Sequence, residues 1–159
     1  MSNVKITDAT EEDFIRLKPQ MRSRDYDILK KIGMDPDVEL RGTWDAATSR
    51  KLVSRPDGYT LGILLSMYPY INQEHSLWSL ITFTQLDRER LSFVKYTREA
   101  IRELMKFEPE QVTSIMTCLP VEFTESVNWH ERIAKARRAM EFDFNGIRHV
   151  MYELRREWY

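Results

Sequence analysis

Residues 77–105 read LWSLITFTQLDRERLSFVKYTREAIRELM, and this stretch decides the fold. Trp78, Leu80, Ile81 and Phe83 form an apolar run without a helical stripe, which predicts a largely buried strand. Asp87 is placed to accept hydrogen bonds from the free N–H groups of a following turn, as an N-cap does. From Leu91 onward, Val94, the stem of Arg98, Ile101, Leu104 and Met105 recur at helical spacing, so a helix is expected over 88–107. A strand feeding a helix N-terminus gathers unpaired N–H groups and the positive end of the helix dipole, the usual makings of an anion site. Such a site needs glycines for the backbone to approach a phosphate closely. The chain has five glycines, and residues 63–145 contain none. The layout of a phosphate site is expected here without its chemistry.

Upstream, Val4 to Ile6 predicts a short strand, and Thr10-Glu-Glu-Asp13 matches a capping box for a helix ending before Pro19. Ser23 caps a second expected helix, with Gly33 as its left-handed terminator. Asp35-Pro36 restarts helix to about Ala47. Leu52-Val53, Tyr59 to Met67 and His75 to Phe83 read as strands, the first two separated by the turn signal Pro56-Asp57-Gly58. Downstream, Gln111 to Leu119 reads as a buried strand that includes Cys118. A helix is expected from Glu125 to Met140, with Thr124 as cap. Asn145-Gly146 joins strands 140–144 and 147–154 in a hairpin. The order implies an α/β (α+β) single domain spanning 1–159, with a mixed sheet of six to seven strands and four to five helices.

At 159 residues the chain can bury about 70% of its unfolded surface. The formal net charge of −1 gives no general attraction to nucleic acid or membrane. One cysteine excludes an internal disulfide and fits a reducing compartment. No apolar run is long enough for a membrane span and no signal peptide is visible, so a cytoplasmic protein is expected.

The opening VKITDATEEDF (4–14), and the strands at 76–83 and 112–119 each followed by a helix, resemble the GNAT (GCN5-related N-acetyltransferase) fold. A closer resemblance is to a GNAT-like family of short-tailed phages, their internal-virion or morphogenesis-associated proteins. It is carried by Arg24-Asp25 with Asp27, Gly33 with Asp35-Pro36 and Leu40, and Asp57-Gly58. Further matches are Trp78 with Thr82-Phe83-Thr84, Leu91-Ser92, and Asn128, His130 and Phe142. It covers roughly residues 3–154 and rests on the spacing of many weak matches. It implies a protein acting in the host cytoplasm or associated with the virion. Active GNAT members carry an Arg/Gln-x-x-Gly-x-Gly/Ala loop that cradles the acetyl-CoA pyrophosphate. Gln85-Leu-Asp-Arg-Glu-Arg-Leu-Ser92 stands there instead, with Asp87 and Glu89 where the anion would lie. The family's general-acid tyrosine falls in register near Lys135 and Ala136, and no tyrosine lies between 97 and 151.

The resemblance therefore implies a scaffold without catalysis, needing no cofactor and acting in virion morphogenesis or by binding a phage or host protein. The rival reading is an acetyl-CoA-dependent N-acetyltransferase acting on a protein lysine or small amine. For it, the cofactor-binding candidates are Phe83, Arg88, Arg90, Ser92 and Asn128, and the catalytic candidates are Glu122 and Tyr152. His130 could serve as a base, although a satisfied core histidine is the commoner outcome. The three histidines lack metal-ligand spacing, so no metal is expected. Cys118, in an apolar strand, reads as a buried structural residue. The basic residues of the last helix and tail are interleaved with acids, so nucleic acid is not an expected partner. Tyr68, Tyr70, Trp158 and Tyr159 supply a candidate aromatic contact surface for a protein.

Overall fold

The computed structural model describes residues 4–21, 23–58, 60–82 and 90–159. Seven strands form one sheet in the order β1-β2-β3-β4-β5-β7-β6. They are β1 (Lys5–Asp8), β2 (Ser49–Ser54), β3 (Thr60–Met67), β4 (His75–Thr82), β5 (Ser114–Pro120), β6 (Arg137–Phe144) and β7 (Ile147–Arg155). Five α-helices accompany them: α1 (Glu11–Leu17), α2 (Ser23–Lys31), α3 (Pro36–Ala46), α4 (Arg90–Met105) and α5 (Thr124–Asn128). The mixed α/β architecture anticipated from the sequence is the one observed. β4 and β5 pair in parallel; every other neighbouring pair is antiparallel.

Local chemistry explains the helix starts. The Thr10 hydroxyl accepts from the Asp13 N–H (3.2 Å) while Asp13 Oδ2 accepts from the Thr10 N–H (2.9 Å), closing the capping box. Asp35 Oδ1 accepts from the Asp37 N–H at 3.0 Å, with Pro36 in the first helical position. Gly33, at φ +84°, ends the turn after α2, and the Met34 N–H closes back on the Leu29 carbonyl at 2.9 Å. Asn145 and Gly146 both adopt positive φ and tie β6 to β7.

The helices cover two faces. Phe14 and Leu17 of α1 with Leu40 and Trp44 of α3 pack over Ile63 and Leu65 on one face. Ile101, Leu104 and Met105 of α4 pack with Leu64, Trp78, Ile115 and Leu154 on the other. Alternating strand residues supply both cores because β3 is buried on both sides. Between Val53 and Ser54 the register shifts: Val53 faces Gly62 and Ser54 faces Thr60. Leu61 is thus the extra residue of a bulge, which puts it in the α4-side core beside Leu64.

The last helix differs from expectation. α5 begins after Phe123 without a side-chain cap and passes into a π turn, Trp129–Ile133, in which the Ala134 N–H bonds the Trp129 carbonyl at 2.9 Å. Lys135 then takes φ +57° and stops the helix, so residues 137–140, expected as helix, begin β6 instead. Helical periodicity and an edge strand are hard to separate in Arg-Arg-Ala-Met, and pairing with β7 decides for the strand.

Candidate functional site

The parallel pairing of β4 and β5 stops at Trp78 and Thr117. Beyond that rung β4 continues through Ser79–Thr82 and β5 through Cys118–Pro120, no longer paired with each other. Each remains paired on its outer side, β4 to β3 and β5 to β7. The two strands therefore open into a V whose inner edges face a cavity of about 690 Å³. Leu80, Cys118 and Leu119 line it from the sheet, Thr97 from α4, and Asn128, Trp129 and His130 from α5 and its π turn. Met21, Leu29 and Leu40 reach it from the opposite face, so the opening passes through the sheet.

Polar groups hold this wall together. Trp129 Nε1–H donates to Thr97 Oγ1 at 3.2 Å, tying the π turn to α4. His130 is buried, its ring stacked on Tyr152 with centroids 4.8 Å apart. Its Nδ1–H donates to the Ser126 carbonyl at 2.7 Å, because a carbonyl can only accept. That tautomer leaves Nε2 as an acceptor. Burial holds the ring pKa down to about 4, so the imidazole is neutral at physiological pH. Thr117, on the last paired rung, also lines the cavity. Its Oγ1 is the one buried side-chain polar atom without a hydrogen-bond partner among the described residues.

At the apex, Trp78 is pinned from behind. Glu108, just past α4, accepts from Trp78 Nε1–H and from the Ser66 hydroxyl, both at 2.6 Å, and Ser66 Oγ lies 2.8 Å from Ser76 Oγ. These bonds fasten the end of α4 to the rung at which the strands part.

The chain's own residues place the candidates as follows. Asn128 and His130 line the cavity. Tyr152 does not; it is fully buried, and its hydroxyl donates to Glu131 at 2.7 Å. Burial and that carboxylate push its pKa up to about 12. Glu122 is exposed and outside the lining. Arg90 and Ser92 sit in the first turn of α4, their side chains not described, while Phe83 and Arg88 lie outside the described residues. Cys118, expected to be buried, is exposed at the strand end, because β5 has lost its neighbour there. Partial desolvation raises its pKa, which makes it a protonated thiol rather than a nucleophile. Lys135, in the register implied for the tyrosine, is exposed in the left-handed turn. Among the described residues no cluster of His, Cys, Asp and Glu could hold a metal, and no helix is long and apolar enough to cross a membrane.

Thr117 and Thr97 were missed by sequence reasoning. Nothing in a strand threonine or a mid-helix threonine marks it before the strands are seen to part.

No protein-family model matches the sequence, and neither does any curated protein sequence. Solved structures do. An acetyltransferase of the GNAT family from Bacillus anthracis aligns with a TM-score of 0.67 at 15% identity, over 98% of this chain and 96% of that one. The chain has the GNAT acetyltransferase fold. Spermidine N-acetyltransferase SpeG from Vibrio cholerae, solved in complex with CoA and spermine, aligns at a TM-score of 0.64 and 12% identity, covering 98% of this chain and 96% of that one. At these identities the likeness is one of fold. Beyond Trp78 and Thr117 the inner edges of β4 and β5 no longer pair with each other, so their backbone groups suit the amides of an extended cofactor arm. The position that the resemblance implies for the proton donor of a leaving thiolate holds no tyrosine: Lys135 and Ala136 stand there, and the tyrosine lining the cavity is Tyr96 of α4.

Proposed function

We propose that this chain is a GNAT-fold phage protein that does not transfer acetyl groups and acts by protein contact in virion morphogenesis. One observation carries the loss of catalysis: where the family resemblance implies a general-acid tyrosine, α5 has already ended and Lys135 turns outward. A substitution within an intact helix would leave room for a replacement acid. Here the backbone itself departs. The segment Gln85–Ser92 supports the same reading from sequence, since it has no glycine and carries Asp87 and Glu89 where the resemblance implies a glycine-rich pyrophosphate loop. The phage assignment rests on the matches at Arg24-Asp25, Asp35-Pro36, Asp57-Gly58 and Asn128 with His130.

The open V and the neutral His130 favour a second reading, an acetyl-CoA-dependent N-acetyltransferase. Asn128 would help hold the cofactor and His130 Nε2 would be available to accept a proton.

Thermal unfolding with and without acetyl-CoA separates the two. A ligand at 100 times its Kd adds about 2.7 kcal/mol. For a domain of this size that moves the midpoint by about 5–10 °C. The non-catalytic reading expects no shift up to millimolar acetyl-CoA and no acetylation of lysine peptides or polyamines. A shift of several degrees together with acetyl transfer would overturn it.

A further inference from the structure

β6 forms one end of the sheet and carries eight residues, Arg137–Phe144, and among the described residues β7 is the one strand beside it. Its two faces differ in chemistry. On the face shared with Tyr152 and Val150, Arg138 bonds Glu131 and Glu141, while Arg148 bonds Glu141 at 2.8 Å and pairs with Asp143 at 3.5 Å. On the other face Met140, Phe142 and Phe144 stand in a row, Phe142 stacked on His149 at 5.5 Å. Met140 is 51% and Phe144 56% exposed. A long edge strand with an apolar face is a ready template for another strand.

We infer that this edge pairs antiparallel with β6 of a second copy of the chain. The sequence of β6 is complementary to itself once its bulge is counted. Ala139 is the extra residue, since Arg138 faces Tyr152 and Met140 faces Met151. With Glu141 on the two-fold axis and Ala139 set aside, Met140 falls opposite Phe142 of the other copy, Arg138 opposite Asp143, and Arg137 opposite Phe144. These are an apolar pair, an opposite-charge pair and a cation over a ring, each on a common face. Symmetry makes each of them occur twice, whereas the like-charge Glu141 pair on the axis occurs once. Each Glu141 is already held by Arg138 and Arg148. Bulges and charges also serve to guard lone edges. On β6 the charges between 138 and 143 guard one face only, and the apolar row lies on the other.

Light scattering on the full chain tests this. The expected mass is twice the 19.1 kDa of one chain. Met140→Lys with Phe144→Lys alters two exposed side chains, so the fold is kept and circular dichroism checks it. The pair is expected to weaken dimerisation by about 100-fold. In a Cys118→Ser background, Glu141→Cys is expected to give a disulfide-linked dimer under mild oxidation, and the exposed Phe107→Cys is not. A wild-type monomer at high micromolar concentration overturns the inference and leaves the edge to a strand of another protein. So does a dimer indifferent to the lysine pair, or one that Glu141→Cys fails to link. Acetyl-CoA binding has no bearing on any of these outcomes.

Discussion

His130 is the residue whose environment most alters its chemistry. Its folded pKa of about 4 lies below the ordinary histidine value, so the unfolded chain binds the proton more readily between roughly pH 4 and 6.5. Stability is therefore fully present above about pH 6.5 and is lost as pH falls toward 4, by about 3 kcal/mol in all. Urea unfolding at pH 7 and pH 4.5 measures this, and His130→Gln is expected to flatten the difference. An unchanged slope in that variant would assign the acid sensitivity to other groups. Tyr152→Phe removes the bond to Glu131 while keeping the ring on His130, and about 1–2 kcal/mol of destabilisation is expected without loss of fold. In the sequence His130 could be read as a base or as a core histidine, and nothing there chose between the two. Its tautomer comes from the Ser126 carbonyl, and its low pKa from burial against residues such as Tyr152 that are distant in sequence.

At the level of elements, the end of α5 decides the functional reading. A non-glycine residue at φ +57° costs about 1 kcal/mol, so Lys135→Gly is expected to raise the unfolding free energy by about that amount, read as a higher urea midpoint with an unchanged m-value. Lys135→Tyr restores the family's residue in register but not in space. It is expected to give no acetyl transfer; measurable turnover would show that the turn can be rebuilt into a helix. Most elements were legible beforehand because their signals are local. Thr10 to Asp13, Asp35-Pro36, Gly33 and Asn145-Gly146 each act within a few residues. The hairpin of β6 and β7 was legible too, but residues 137–139 were read as the end of the last helix, because only their pairing with β7 separates strand from helix there.

For the whole molecule, the V between β4 and β5 depends on contacts distant in sequence. Glu108 reaches back to Ser66 and Trp78, so Glu108→Ala leaves the buried indole N–H without its acceptor and the Ser66 hydroxyl with Ser76 alone. About 2–4 kcal/mol of destabilisation is expected, with a changed tryptophan fluorescence reporting the apex. Cys118 offers a second readout. Exposed at the mouth, it is expected to react with a maleimide in the folded protein, and any ligand seated in the cavity slows that reaction. The tail is part of the fold rather than a free surface. Arg156 donates to the carbonyls of Met105 and Pro109 at the end of α4, Arg102 holds the Tyr159 carbonyl at 2.7 Å, and Tyr159 packs against the core. Of the aromatics expected at a protein contact, Tyr68 and Tyr159 pack on the core cluster, and Tyr70 and Trp158 are half-buried.

What the sequence determined by itself was local: strand and helix types, caps, turns, the mixed sheet, and the absence of glycine and tyrosine where the family's chemistry needs them. These follow from side-chain periodicity and from backbone constraints acting over a few residues. The tertiary structure alone decided where β4 and β5 part, how deeply His130 is buried, where α5 stops, and which edge of the sheet is left open. Each of those is set by how segments meet in the fold, and neither spacing nor composition carries it.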